Sequence, residues 1–175
     1  MPIDESHPFI SINIALATIS DSRTLDDDKS GALLQTKIEG HGHRIASRQI
    51  IKDDLNAIVT FLHQACANRK IDAVITTGGT GVTGRDVTPE AFMQVIEKTI
   101  PGFGEYFRMI SAQKIGSSTI QSRAMAGVAN GTYLFALPGS PGACKDAWDE
   151  ILCHQLDNRF RPCNFVELMP RLLER

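Results

Sequence analysis

Val74-Ile-Thr-Thr-Gly-Gly-Thr-Gly-Val-Thr-Gly-Arg-Asp-Val-Thr-Pro-Glu90 opens as an apolar, β-branched run and then places four glycines within seven residues. It closes on Asp86, Thr88, Pro89 and Glu90. The order is strand, flexible polar loop, helix start. Glycine lets backbone N–H groups approach an anion closely, and a helix N-terminus adds partial positive charge, so this order suits a phosphate. The stretch lacks the Gly-Lys-Ser/Thr of a P-loop, and its glycines are not spaced as in a dinucleotide fingerprint. A glycine-rich turn without chemistry therefore stays open as the alternative.

Upstream of the loop, Phe9 to Ile19 mixes Ile, Ala, Leu and Thr as a strand buried on both faces would. It runs out at Ser20-Asp21-Ser22-Arg23 and a polar loop containing Asp26, Asp27 and Asp28, one of which is expected to be an N-cap. Ser30 and Gly31 open a helix that carries Leu33, Leu34 and Ile38 and stops at Gly40 and Gly42. His41-Gly-His43 reads as a surface helix end rather than a metal site. Arg44 to Ile51 is a second strand, ending at Lys52-Asp53-Asp54, and Leu55, Ile58, Val59, Leu62, Ala65 and Cys66 recur at helical spacing after it. Asp53 is placed to cap that helix. Ile71 to Thr77 is the third strand, and Thr88-Pro89-Glu90 supplies an N-cap hydroxyl, a proline at the first helical position and an early carboxylate.

Downstream, a helix is expected to bury Phe92, Val95 and Ile96. Pro101-Gly102 then breaks the chain before a second amphipathic stretch with Phe103, Tyr106, Phe107, Met109 and Ile110. Gly116 to Ala129 is low in bulk and suits either close backbone packing or the lip of a site. Asn130-Gly131 signals a turn before the strand Thr132 to Leu137. Pro138 to Gly142 forms another tight loop, followed by a helix with Ala143, Ala147, Trp148, Ile151 and Leu152 on one face. The tail from Asn158 reads as irregular until Leu172, and Met1 to Pro8 as frayed.

The 175 residues suit one domain with a core that needs no staples, and 42% hydrophobic with 22% charged residues is ordinary for a globular protein. A net charge of −2 gives no reason to expect nucleic acid. No apolar run is long enough to span a membrane and no basic-then-apolar leader is visible, so a cytoplasmic protein without a membrane partner is expected. Cys66, Cys144, Cys153 and Cys163 form no Cys-x-x-Cys pair and read as reduced thiols.

Strands alternating with helices argue for an α/β layered sheet, where ligands bind outside the carboxyl ends of the strands. Four expected strands end in polar loops, at Ser20-Asp21, Asp53-Asp54, Gly78 to Asp86 and Pro138 to Gly142. In a mainly parallel sheet these loops share one edge. They bring glycine amides and hydroxyls for phosphate, with Asp53 and Asp86 for a metal such as Mg2+, which takes one or two carboxylates beside phosphates and water.

The same residues carry a resemblance. Thr76 to Ala91, Pro101-Gly-Phe-Gly-Glu105, Arg108-Met-Ile-Ser111, Ser122-Arg123 and Leu137-Pro-Gly139 resemble, in order, the motifs of the molybdenum-cofactor biosynthesis family. That family includes the MoaB and MogA proteins and the gephyrin G domain. Gly116 to Asn130, Pro138-Gly-Ser140 with Ala143-Cys144 and Ala147-Trp148, and Arg161-Pro-Cys-Asn-Phe165 are similar to its B-type branch.

The resemblance implies a single molybdopterin-binding domain over residues 1–175. Its fold would be a three-layer α/β/α sandwich with a mostly parallel sheet, assembled as a homo-oligomer, trimeric or, in B-type members, hexameric. Active members adenylylate molybdopterin with Mg-ATP and release pyrophosphate, so ATP enters as co-substrate and no permanently bound cofactor is implied. The catalytic, metal-holding aspartates of the family fall on Asp86 and Asp53, although Lys52 stands where active relatives often have proline. Gly78, Gly79, Thr80 and Gly81 would cradle nucleotide phosphates, and Pro138, Gly139 and Ser140 would complete the nucleotide side. Ser20, Asp21, Ser30 and Gly31 would line the pterin side, and Ser122 and Arg123 would lie near the substrate. Arg123 reads either as a phosphate partner or as a subunit-interface ion pair. Two readings of function remain, an adenylyltransferase and a non-catalytic pterin binder of the same pathway.

Overall fold

The computed structural model describes residues 3–174. Six strands form one mixed sheet in the order β2-β1-β3-β6-β5-β4: β1 (Asn13–Ile19), β2 (Arg44–Ile51), β3 (Ala73–Thr77), β4 (Lys98–Thr99), β5 (Met125–Ala129) and β6 (Thr132–Leu137). The first three strands and β6 run parallel, while β5 and β4 add an antiparallel edge. The layered, mostly parallel architecture is as the residue pattern implies. The two strands at the antiparallel edge lie in or beside stretches that carried no strand pattern.

Alternation along the strands sorts side chains to the two faces of the sheet. Ile14, Leu16, Ile75, Tyr133, Phe135 and Leu137 face α1 (Lys29–Gly40), α4 (Pro101–Ile115) and α5 (Pro141–Ala147). A π turn at Trp148–Leu152 prolongs α5 into α6 (Cys153–Gln155), and it too packs on this bulkier face. The other face presents smaller residues, Ala15, Ala17, Val74 and Ala136, to α2 (Leu55–Ala67) and α3 (Thr88–Val95), which bury Ile58, Phe61, Leu62, Phe92 and Val95. Among the described residues no helix is long and apolar enough to cross a membrane.

Register decides where the site lies. Ile19 pairs with Ile51, Thr18 with Thr77, and Thr77 with Leu137. Four carboxyl ends therefore line up, and the segments that leave them begin at Ser20, Lys52, Gly78 and Pro138. The outer side of β2 pairs with no strand among the described residues, and its exposed positions include Arg44 and Gln49.

Several local expectations need correction. Asp54, not Asp53, caps α2, accepting from the Ala57 amide at 2.8 Å. The Thr88 hydroxyl does not cap α3; it donates to the Gly78 carbonyl at 2.9 Å, and the helix begins without a side-chain cap. His43 is not at the surface. It is 4% exposed, packed between Phe9 and Trp148, and burial pushes its pKa down to about 4. The tail is irregular only as far as Asn164, whose N-cap is followed by α7 (Phe165–Leu168) and a short 3-10 turn.

Of the start expected to fray, residues 1 and 2 lie outside the described residues. The part from Ile3 onward is tied to the tail, with Ile3 bridging Phe160 and the Asp4 amide donating to the Arg159 carbonyl at 2.8 Å. Asn158 completes this tie. Its side chain donates to the Pro8 carbonyl at 3.0 Å and accepts from the Ile10 amide at 2.8 Å. Asn158→Ala removes both side-chain bonds to this segment and leaves the part-buried Ile10 amide and Pro8 carbonyl to water. The expected loss is about 1–3 kcal/mol in urea unfolding, with faster amide exchange at Ile10.

Candidate functional site

The glycine loop is held from beneath. Gly78 has a φ of +108°, donates its amide to the Leu137 carbonyl at 3.0 Å, and leaves no room for a Cβ against the Ile19 carbonyl. Gly79, at a φ of +65°, lies against Thr88 and Asp53, and a Cβ there would stand 3.1 Å from Asp53 Oδ1. A Cβ on Gly139 would stand 3.3 Å from Gly78 Cα, so the third and fourth loops touch through their backbones. Each of these glycines sits where a side chain would fill the gap between strand ends.

Asp53 and Asp86 stand in opposite electrostatic settings. Asp53 Oδ1 is buried and has no hydrogen-bond partner. Burial first, and then the Asp86 charge, push its carboxyl above the ordinary range. Burial also pushes Asp86 upward, but this is outweighed by hydrogen bonds. The Thr83 amide and hydroxyl donate to Asp86 Oδ2 at 2.8 and 2.7 Å, the Gly81 amide and Arg123 add to them, and the carboxyl is held below its usual value. Two acids that feel each other's charge in unequal environments are what charge chemistry uses when one group must remain ionised and the other be neutralised by a partner. Among the described residues no three His, Cys, Asp or Glu side chains cluster as a ready-made metal cage. What exists is a carboxylate pair, suited to a cation whose remaining ligands come from phosphate and water.

Arg123 organises the loop from inside. Its Nε donates to the Gly81 carbonyl at 2.6 Å and one terminal nitrogen to the Asp86 carbonyl at 2.6 Å, while the other pairs with Glu90. That hydrogen bond to Arg123 is the main reason the Glu90 carboxyl lies below its usual range. The Arg123 amide donates to the Thr80 carbonyl at 3.0 Å, and Thr80 is itself buried. Within this chain Arg123 also serves as a clasp on the loop, while lining the cavity beside Asp86 and Glu90.

Two cavities open here. One, of about 400 Å3, is lined by Gly79, Gly81, Asp86, Ser122, Gly139 and Ser140, together with Thr80, Gln121 and Pro138. Its neighbour, of about 350 Å3, lies between Thr83, Asp86, Glu90 and Arg123. Asp86 lines both. Asp21 reaches the site by accepting the Asp53 amide at 3.1 Å and pairing with Arg85, and Ser20 stands at the same strand edge. Ser30 and Gly31 sit behind the mouth. The buried Ser30 hydroxyl donates to the Gly139 carbonyl at 2.8 Å, and Gly31 is packed against Asp28 and Thr18. Ser140 spends its hydroxyl as the cap of α5.

Pattern reading missed Thr83, Arg85 and Glu90. Thr83 three residues before Asp86 is a turn spacing that could have flagged the first. The partners of Arg85 and Glu90 are far along the chain, and no local signal marks them.

Residues 15–158 match the family model described as "Probable molybdopterin binding domain". Molybdenum cofactor biosynthesis protein B of Escherichia coli strain K12 is 45% identical over 160 residues, covering 91% of this chain and 94% of that protein. A crystal structure of molybdenum cofactor biosynthesis protein B matches with a TM-score of 0.82 at 41% identity, over 84% of this chain and 92% of the other. The tungsten cofactor synthesizing protein MoaB from Pyrococcus furiosus matches with a TM-score of 0.73 at 32% identity, over 81% and 91%. Identity at this level over nearly full lengths agrees with the motif resemblance, and the chain belongs to the molybdenum cofactor biosynthesis protein B family.

Proposed function

We propose that this protein binds molybdopterin at the carboxyl edge of its sheet and, with Mg2+ and ATP, transfers an adenylyl group to it. The observation that carries this reading is the Asp53 carboxylate, buried at Oδ1 without a partner, beside the glycine loop and under the charge of Asp86. A buried acceptor left unpaired is costly, and a bound cation removes that cost. Asp53 and Asp86 would hold Mg2+, which when bound neutralises charge between carboxylates and phosphates.

In this reaction an oxygen of the pterin's terminal phosphate attacks the α-phosphorus of ATP. The bond from that phosphorus to the bridging oxygen breaks, and pyrophosphate leaves with the electron pair. The attacking phosphate is largely ionised at neutral pH, so no general base is required. None of the chain's histidines lies on these loops, in keeping with that economy. The protein's work is positioning and charge. Gly79 offers backbone to phosphate at the mouth of the larger cavity, and Arg123 holds the Gly81 and Asp86 carbonyls so that the loop keeps its shape. Thr83 fixes Asp86 in its ionised form. The family relation supports the pterin, and the paired carboxylates beside a glycine loop support the nucleotide.

Purified protein incubated with molybdopterin, ATP and Mg2+ is expected to release pyrophosphate, and Asp86→Ala to lower that rate by roughly 100-fold or more. Pterin binding by the wild type without any pyrophosphate release would instead identify a non-catalytic binder.

Asp53 yields a second expectation, whose sign follows from its raised carboxyl. Ionising Asp53 opposes folding at neutral pH. The penalty shrinks as pH falls through the folded value and vanishes below the unfolded value near 3.8. Asp53→Asn should therefore raise the thermal midpoint of the metal-free protein near neutral pH, give no gain below 3.8, and remove the stabilisation that Mg-ATP confers on the wild type.

A further inference from the structure

We propose that Arg85 is a further substrate-contacting residue, whose guanidinium leaves Asp21 to pair with a phosphate of the nucleotide when the site fills. This rests on the nucleotide reading above and adds a residue to it. The difficulty it resolves is one of charge. Asp21, Asp53, Asp86 and Glu90 all stand at or beside the mouth, and a triphosphate brings further negative charge to them.

Arg123 is the only cation lining the two cavities among the described residues, and it is not free to help. All three of its guanidinium nitrogens are engaged, by the Gly81 and Asp86 carbonyls and by Glu90, and turning it to a ligand would release the loop it holds. Arg23, on the Ser20 side, donates to the Asp27 carbonyl within its own loop.

Arg85 differs on each count. It lies on the glycine loop next to Asp86, its side chain is 73% exposed, and its contact is with an Asp21 carboxylate that is itself 39% exposed. An exposed ion pair of this kind is weak and exchanges readily. The exchange is favoured because a planar guanidinium takes phosphate oxygens in parallel, charge-assisted bonds. Asp21 is meanwhile held independently, since its other oxygen accepts the Asp53 amide at 3.1 Å. It is thus a fixed resting partner, and Arg85 is the part that moves.

Calorimetric titration of Mg-ATP into the full-length chain tests this. Arg85→Gln should weaken binding by about 10-fold. Asp21→Asn keeps an oxygen for the Asp53 amide but removes the competing charge, and should tighten binding by about 2- to 5-fold. In an Arg85→Gln background the gain from Asp21→Asn should disappear, a coupling that general loosening of the loop would not produce. Lys52→Gln, the same charge change at an exposed position beside Asp53, should stay within about 2-fold of wild type.

Wild-type affinity in Arg85→Gln, an equal loss in Lys52→Gln, or an Asp21→Asn gain of the same size in both backgrounds would overturn the assignment while leaving nucleotide binding intact. A wild type that takes molybdopterin but no Mg-ATP would overturn the nucleotide reading, and this inference with it.

Discussion

The carboxyl edge of the sheet depends on the seat of Gly78. Its amide is bonded to the end of β6, its carbonyl takes the Thr88 hydroxyl from α3, and its α-carbon faces the Ile19 carbonyl at the end of β1 with no space for a side chain. One residue with a positive φ thus fixes two strand ends and a helix start around itself. Gly139 packs on the same point, and the Ser30 hydroxyl holds Gly139 from behind. The site is built outward from backbone contacts, and its functional side chains are added to a frame already determined.

Much of that frame was legible. The four parallel strands are apolar on both faces or end in polar turns, and the ladder register then has to bring their loops together. β5 was hidden because its central residue is glycine and two of the other four are alanine, which removes much of the bulk that marks a strand. The structural reason is Ile96, whose side chain occupies the space a Cβ on Gly127 would need. β4 has two residues, too short for any alternation to register. Asp53 and Asp54 are adjacent, and pattern alone cannot say which of the two caps the helix. Only the fold shows that Asp54 takes the cap and leaves Asp53 facing the glycine loop. Thr88 and His43 misled for a related reason: each has a common local use, and tertiary contacts gave it another.

Charge at the site is divided by function. Arg123 and Thr83 spend their donors on the loop and on Asp86, and so hold one carboxylate ionised and in place. Asp53 has no such support and is pushed the other way. The asymmetry gives the pair a rigid member and a needy one, and a cation is the simplest entity that satisfies both. The chain's membership of the molybdenum cofactor biosynthesis protein B family is independent of this division of charge.

The two aspartates also come from parts of the sheet that differ in depth. Asp86 follows β3, which has a neighbour on each side, whereas Asp53 follows β2, which among the described residues is bonded to β1 alone. Edge strands open locally at lower free energy than central ones. Fraying at the carboxyl end of β2 would withdraw Asp53 while the Gly78 frame and Asp86 stayed folded. In the proposed reading, a cation that draws on Asp53 would also hold the carboxyl end of β2 to the frame, beside the bonds from the Ser20 and Asp53 amides.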